Sequence, residues 1–89
     1  MSKPNEMMRR SVKDTHAGYE TSDMFVAGFL LTKGFELENV YRDGRRAIFV
    51  FRDHQDRKEI VNSYFNGAQV KAIDFVHSLD TIKTALFNL

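Results

Sequence analysis

Apolar residues recur along the chain with two different spacings, which separate helices from strands. Residues 24–34 are apolar around most of a helical circumference, which predicts a deeply buried helix. Its most apolar side holds Phe25, Phe29 and Leu30. Three preceding residues are candidate N-caps: Thr21, Ser22 and Asp23. Lys33 and Gly34 form a typical helix end, and Gly28 predicts close packing by another element.

Over residues 35–52 the side chains follow a two-residue period instead of the helical spacing, which predicts a β-hairpin. The first strand places Phe35, Leu37 and Tyr41 on one face, and Glu36, Glu38 and Val40 on the other. Asp43-Gly44 is the predicted two-residue turn, because such turns need positive φ. The second strand is apolar on both faces, with Phe49 and Phe51 opposite Ile48 and Val50. This favours a central strand, while which hairpin strand forms the sheet edge stays open.

Two helices are predicted after the hairpin. The first spans residues 56–66 and ends at Asn66-Gly67, and its buried side holds Ile60, Val61, Tyr64 and Phe65. The second spans residues 70–89, and its apolar stripe is Phe75, Leu79, Ile82, Leu86 and Leu89, widened by Ile73 and Val76. With an extended lead-in at residues 19–21, the order is β-α-β-β-α-α. The predicted fold is a small α+β domain, with the hairpin packed against three helices.

Composition separates this domain, residues 19–89, from the segment before it. Residues 1–18 hold four basic and two acidic residues, the only proline and no aromatic residue, and are predicted to be a flexible basic tail. The 89 residues include 13 Lys and Arg, 12 Asp and Glu, and no cysteine, which excludes disulfides and thiol chemistry. No apolar run reaches the roughly 18 residues of a membrane span, and no signal sequence is visible. A cytoplasmic protein with no membrane partner is expected.

Residue patterns of known catalytic or metal chemistry are missing from the sequence. The three histidines show no metal-ligand spacing: His16, His54 and His77. The carboxylate pairs have structural explanations, a polar strand face for Glu36 and Glu38 and helix capping for Asp53 and Asp56. Neither a phosphate-binding glycine loop nor a nucleophile elbow is present. The protein is therefore expected to be non-enzymatic, with no cofactor and no metal.

A cluster of cations around the hairpin is the most suggestive chemical feature. Six basic residues face three acidic ones between positions 42 and 58, and they are Arg42, Arg45, Arg46, Arg52, Arg57 and Lys58. Arginine forms forked hydrogen bonds to phosphate, and a two-stranded ribbon fits the major groove of DNA. The cluster therefore suggests a nucleic-acid surface, assisted by the tail cations. The competing interpretation is a solvated surface whose arginines pair with nearby carboxylates.

The terminal helix offers a second functional hypothesis. It is nearly as apolar at its end as in its middle, with Leu86, Phe87 and Leu89 close to the C-terminus. These residues either close the core or dock on a second subunit. A domain of this size buries only about 60–65% of its unfolded surface, so dimerisation is a realistic alternative. The alternative function is thus a protein-interaction module or homodimer that uses this helix.

Several short motifs resemble a family of small uncharacterised domains. The motifs are Tyr19, Thr21, Asp23, the helix ending at Lys33-Gly34, Asp43-Gly44-Arg45-Arg46 with Phe49 and Phe51, and Tyr64-Phe65-Asn66-Gly67. The resemblance covers residues 19 to about 87 and is associated with bacterial and phage or mobile-element proteins. It implies no particular activity, although it favours a role near DNA transactions or host–element conflict.

Overall fold

The computed structural model describes residues 18–89, which form a small α+β domain with the order β-α-β-β-α-α. The predicted class and order are confirmed. The elements are β1 (Tyr19–Thr21), α1 (Met24–Thr32), β2 (Leu37–Asp43), β3 (Arg46–Phe51), α2 (Arg57–Phe65) and α3 (Ala72–Phe87). The predicted flexible tail lies outside the described residues except for Gly18, and His16 lies outside them too.

Helix α1 begins at a side-chain cap. The Asp23 carboxylate accepts hydrogen bonds from the backbone N–H groups of Phe25 at 2.9 Å and Val26 at 3.2 Å. Asp23 is therefore the N-cap among the three candidates. The Thr21 hydroxyl oxygen in turn accepts a hydrogen bond from the backbone N–H of Asp23 at 3.1 Å. Two neighbouring polar side chains thus fix the passage from β1 into the helix.

Helix α1 ends at the predicted glycine. Gly34 has a φ of +93°, a left-handed conformation that other residues adopt at a cost. The backbone N–H of Phe35 donates to the Leu30 carbonyl at 3.0 Å, and that of Gly34 donates to the Leu31 carbonyl at 2.9 Å. These two bonds define a Schellman motif. Because Phe35 and Leu30 are both buried in the core, the motif joins the helix end to the hairpin.

The three strands form one antiparallel sheet in the order β1-β3-β2. Strand β3 is the central strand, as the apolar character of both its faces favours, and β1 and β2 are the edges. Phe49 and Phe51 of β3 point into the core and are 2% and 0% exposed. Ile48, on the opposite face, is also buried. The central position explains why β3 is apolar on both faces.

The turn of the hairpin lies one residue later than predicted. Asp43 pairs with Arg46 across the two strands, so the connecting residues are Gly44 and Arg45 rather than Asp43 and Gly44. Gly44 has a φ of +64°, which places it at the first turn position. The glycine signal was correct, but it did not define which neighbour completes the turn.

A β-bulge in β2 reverses the predicted alternation of its side chains. Leu37 pairs with Phe51 and Asn39 with Val50, so two steps along β2 match one step along β3. The extra residue is Glu38, and beyond it every side chain changes face. Val40 consequently joins the core, whereas Tyr41 lies on the opposite face of the sheet from Leu37. The predicted face of both residues is therefore wrong.

The core lies between the sheet and the helices. Its buried members are Val26, Ala27, Leu30, Phe35, Phe49, Phe51 and Ile82. Helix α1 turns Val26 and Leu30 toward this cluster, and its opposite side packs against α3 at Gly28. A Cβ atom at Gly28 would lie 2.7 Å from Leu79 Cδ2, so the predicted close approach is confirmed. Phe25, placed on the buried side by sequence, is 50% exposed because it lies at the margin of both contacts.

Helix α2 covers one flank of α1 without becoming buried itself. The rings of Phe29 and Tyr64 lie 5.3 Å apart, and Ile60 and Val61 pack against the core as predicted. Phe65, predicted to be buried, is instead 67% exposed, and its ring meets the edge of Tyr64. A helix at the margin of the fold buries only one narrow stripe, and the last residue of that helix lies outside it.

Candidate interaction surfaces

The six cations predicted as a nucleic-acid surface fall into two groups. Arg42, Arg45 and Arg46 surround the hairpin turn and are called the tip arginines here. Arg52, Arg57 and Lys58 follow β3 and form the base group. Six residue steps along extended chain separate Arg46 from Arg52, which corresponds to about 20 Å. The structure therefore does not bring the six cations together as one compact patch.

The tip arginines are exposed and point in different directions. Arg42 pairs with Ala47 and shares its face, whereas Arg46 belongs to the other face beside Ile48, and Arg45 lies in the turn. Within residues 18–89, no carboxylate oxygen lies within 4.0 Å of any of the three guanidinium groups. Their only close acidic neighbour along the chain is Asp43. The tip is thus a small positive projection from the sheet.

Two members of the base group are engaged by carboxylates. Arg52 Nη1 lies 3.7 Å from Glu36 Oε1, an exposed pair of little energetic weight. Arg57 donates from Nε to Asp53 at 3.1 Å, and its guanidinium stacks 4.4 Å from the centre of the Tyr19 ring. The Arg57 hydrogen bond lowers the pKa of Asp53, aided by the N–H of residue 54, and the same pair raises the pKa of Arg57. Arg57 thereby ties α2 to β1.

The residues predicted to cap α2 act differently. Asp56 occupies the N-cap position but accepts no capping hydrogen bond, and its carboxylate instead lies 3.3 Å from Nδ1 of His54. The Asp53 carboxylate binds Arg57 rather than the helix start. The His54 ring lies 5.3 Å from the Phe35 ring. Among residues 18–89, no three His, Asp or Glu side chains lie close enough together to hold a metal ion.

A hydrogen bond crosses the face of the sheet opposite the helices. The Tyr41 hydroxyl donates to the Glu20 carboxylate at 2.8 Å, which joins the two edge strands over the central strand. This bond to a carboxylate raises the pKa of the Tyr41 phenol. A shallow hollow of about 240 Å³ beside it is lined by Glu20, Thr21, Ser22, Arg46 and Ile48. The bulge in β2 creates this arrangement, because it brings Tyr41 to this face.

An apolar groove of about 420 Å³ opens where α1, α2 and the start of α3 meet. Its lining is Phe29, Tyr64, Ala68, Gln69, Val70, Ala72 and Phe75. Phe29 forms the buried floor, and the Lys33 ammonium lies 5.6 Å from its ring. Sequence reasoning did not find this groove, because its residues come from three separate segments. Each of those segments resembles ordinary core when it is read alone.

The outer side of α3 carries several exposed apolar side chains. Only Ile82 is fully buried, while Phe75, Leu79 and Leu86 of the predicted stripe are half-buried. Ile73, Val76 and Phe87 are 57%, 49% and 90% exposed. These three share one side of the helix with Asp80 and Lys83, because their spacing alternates between three and four residues. Ile73, Val76, Asp80, Lys83 and Phe87 are called the α3 strip below.

The C-terminal end of α3 does not close the core. The sequence leaves two options for Leu86, Phe87 and Leu89, which are core closure and contact with a second subunit. Leu86 is half-buried, whereas Phe87 is almost fully exposed and Leu89 is 52% exposed. The apolar end of α3 therefore faces solvent in the single chain.

Among the described helices, none has the length and apolar character that crossing a membrane requires.

Comparison with known proteins gives a family. A sequence family described as Domain of unknown function (DUF5659) matches residues 16–88. Neither the curated proteins nor the solved structures compared with the chain show a match. The matched region includes all the strands and helices described above and agrees with the resemblance to a family of uncharacterised domains. The chain belongs to the DUF5659 family.

Proposed function

We propose that the protein is a non-enzymatic interaction module that binds another protein surface through the α3 strip. The observation that carries this proposal is the exposure of Ile73, Val76 and Phe87 on one side of a single helix. Interface cores are rich in aromatic and apolar residues, and a contiguous exposed patch of such residues is typical of a binding surface. An isolated exposed apolar residue would carry no such meaning.

The surroundings of the strip favour a helical contact. Leu79 and Leu86 are half-buried beside it and extend its apolar width. Positions that recur at three and four residues are the anchors with which amphipathic helices bind a groove or another helix. The strip also contains two charged residues, Asp80 and Lys83, which limit the contact to partners with opposite charges at the facing positions. These features support a specific contact rather than nonspecific adhesion.

A photoreactive amino acid placed in the strip tests this proposal. We expect a residue of this kind at Val76 to form a covalent adduct with the partner protein in cells that express the chain. The same group at Asn62, which is exposed on α2, is the matched control and should form none. Mass spectrometry of the adduct identifies the partner, including a second copy of the chain. If Val76 and Phe87 both give no adduct above the Asn62 control, the proposal is wrong.

Nucleic-acid binding through the tip arginines is the second candidate function. It is favoured by three exposed arginines around one turn, with no carboxylate within 4.0 Å among the described residues. Arg52, about 20 Å from Arg46 along β3, would meet a phosphate about six nucleotides further along a strand. The overall charge does not assist, since residues 18–89 hold nine basic and ten acidic residues. The tip would therefore act as a local contact.

Salt-dependent binding distinguishes this second candidate. Fluorescence anisotropy with labelled DNA and RNA should show affinity falling steeply between about 50 and 200 mM salt if phosphates are bound. The double variant Arg45→Ala, Arg46→Ala should weaken binding without unfolding the protein. Lys33→Ala, Lys71→Ala removes the same charge elsewhere and should have a smaller effect. Equal affinities for the two double variants would eliminate the hairpin as the binding surface.

The cellular setting is a separate part of the proposal. From the resemblance alone, we propose that the protein comes from bacteria, phages or mobile elements. A cytoplasmic location is proposed because the 89 residues contain no cysteine, as is common where thiols stay reduced. Fractionation of cells that express a tagged chain tests the location. Recovery in a membrane or extracellular fraction would contradict it.

A further inference from the structure

We infer that the partner of the α3 strip is a second copy of this chain, with the two α3 helices packed antiparallel. This inference rests on the proposed function of the strip. The strip residues are spaced alternately by three and four positions, the spacing at which two helices meet along a common seam. Helix α3 contributes 16 residues, about 24 Å of length, so the seam runs along the entire helix.

One antiparallel register matches apolar residues with each other and charges with their opposites. When Val76 of one copy faces Phe87 of the second copy, Asp80 automatically faces Lys83 of the second copy. The two-fold axis then lies between positions 81 and 82, and each contact occurs twice. In the same register, Ile73 lies beyond the end of the second copy's α3, which stops at Phe87. Four of the five strip residues therefore gain a suitable partner from one placement.

The two charged residues select this arrangement over the parallel one. Parallel helices in register would place Asp80 beside Asp80 and Lys83 beside Lys83, which is repulsive at both positions. The antiparallel register forms two Asp80–Lys83 pairs at the centre of the seam instead. Within residues 18–89, neither side chain has an ion-pair partner within 4.0 Å, so both charges are available for this contact. The charge pattern thus complements itself only in the antiparallel direction.

The expected association is weak and depends on concentration. Two apolar side chains per copy, Val76 and Phe87, face each other across the seam, and the exposed Ile73 lies at its end. Such an area is smaller than that of obligate dimers, which bury more than 2,000 Å². Sedimentation velocity at roughly 5 and 300 μM, which brackets a micromolar association, should therefore show a shift from monomer toward dimer.

Charge reversal is the sharpest test. In Asp80→Lys, two lysines face each other at both central positions, and in Lys83→Asp two carboxylates do so. Each single variant should associate at least about tenfold more weakly, because facing like charges is costly. The double variant Asp80→Lys, Lys83→Asp should restore the dimer, and an equimolar mixture of the two single variants should form a heterodimer. Asp74→Lys makes the same charge change off the strip and should leave association unchanged.

Cross-linking tests the register independently, since the chain contains no cysteine. The double variant Val76→Cys, Phe87→Cys should form disulfide-linked dimers under mild oxidation. Val76→Cys alone should not, because the two residues at position 76 lie about 16 Å apart along the seam, too far for a disulfide. Efficient cross-linking of Val76→Cys to itself would overturn the register.

The outcomes separate this inference from the function on which it rests. A wild-type chain that stays monomeric at the higher concentration overturns the inference, as does a dimer that both single charge variants leave unchanged. If photoreactive Val76 then captures a different protein, the interaction function still holds with another partner. If it captures nothing, the interaction function fails as well. Circular dichroism of each variant ensures that a lost dimer is not a lost fold.

Discussion

Helices α1 and α3 both have a broad apolar surface in the sequence, but α1 is apolar around most of its circumference and α3 along one stripe, and the fold buries them to very different extents. In α1, five consecutive residues are buried, from Val26 to Leu30, so this short helix is enclosed on nearly every side. In α3, which is almost twice as long, Ile82 alone is fully buried. The difference comes from position, because α1 lies between the sheet and α3, whereas α3 packs on α1 with one side only. Apolar content therefore separates the deeply buried helix from the partly buried one, but it does not show which apolar residues of α3 stay exposed.

Replacing one leucine by alanine in each of the two helical regions should give the largest difference in the free energy of unfolding. Leu30→Ala removes a side chain with 0% exposure and should lower the free energy of unfolding by about 2–5 kcal/mol. Leu89→Ala shortens a side chain that is 52% exposed and should change the free energy of unfolding by less than about 0.5 kcal/mol. Urea unfolding at low micromolar protein measures both values in the monomer. Similar losses for the two variants would mean that the end of α3 is part of the core.

The contact between the two helices depends on a missing side chain. Gly28→Leu adds atoms where a Cβ alone would already lie 2.7 Å from Leu79 Cδ2 and 3.3 Å from Leu79 Cγ. We expect it to destabilise the fold by about 1–3 kcal/mol, as overpacked cores do. Reducing the opposing side chain in Gly28→Leu, Leu79→Ala should recover part of that loss. A stable single variant, measured by urea unfolding, would contradict the close packing of α1 on α3.

The helix starts differ as well, with a smaller energetic effect. Asp23 caps α1 through two hydrogen bonds, so Asp23→Ala should cost about 1 kcal/mol. Helix α3 starts after Lys71, whose side chain makes no capping hydrogen bond. Lys71→Asp supplies a capping carboxylate and a favourable charge at the helix N-terminus, and should stabilise by roughly 0.5–1 kcal/mol. The midpoint of thermal unfolding should fall in Asp23→Ala and rise in Lys71→Asp, and Ser22→Ala is the neutral control for the first variant.

Features fixed by neighbouring residues were predictable from the sequence. A cap among Thr21, Ser22 and Asp23, the Lys33-Gly34 ending and the stop at Asn66-Gly67 all depend on local backbone chemistry, and all appear in the structure, with Asp23 as the cap. The apolar residues on both faces of β3 likewise indicated a strand that is covered on both sides. These elements determine the α+β order without reference to distant contacts.

Features that depend on distant contacts were not predictable. The exposure of Phe65 follows from the marginal position of α2, which no local pattern encodes. The six cations are close in sequence, yet an extended strand places Arg52 about 20 Å from Arg46. The strip on α3 was partly visible, since Ile73 and Val76 already widened the apolar stripe beyond what one contact needs. Only the three-dimensional arrangement shows that this extra width faces solvent.

The bulge at Glu38 divides β2 into two segments that follow different reading frames. Before it, odd-numbered positions such as Leu37 face the core, and after it even-numbered positions such as Val40 do. Deletion of the extra residue Glu38 would remove the bulge and leave a single frame, in which Leu37 and Val40 still face the core. Deletion of two residues here, Glu38 and Asn39, would shift the remainder of β2 by one position, drive Tyr41 inward and expel Val40 from the core. The segment is therefore expected to tolerate the loss of one residue better than the loss of two, because only the single deletion keeps every later side chain on its present face.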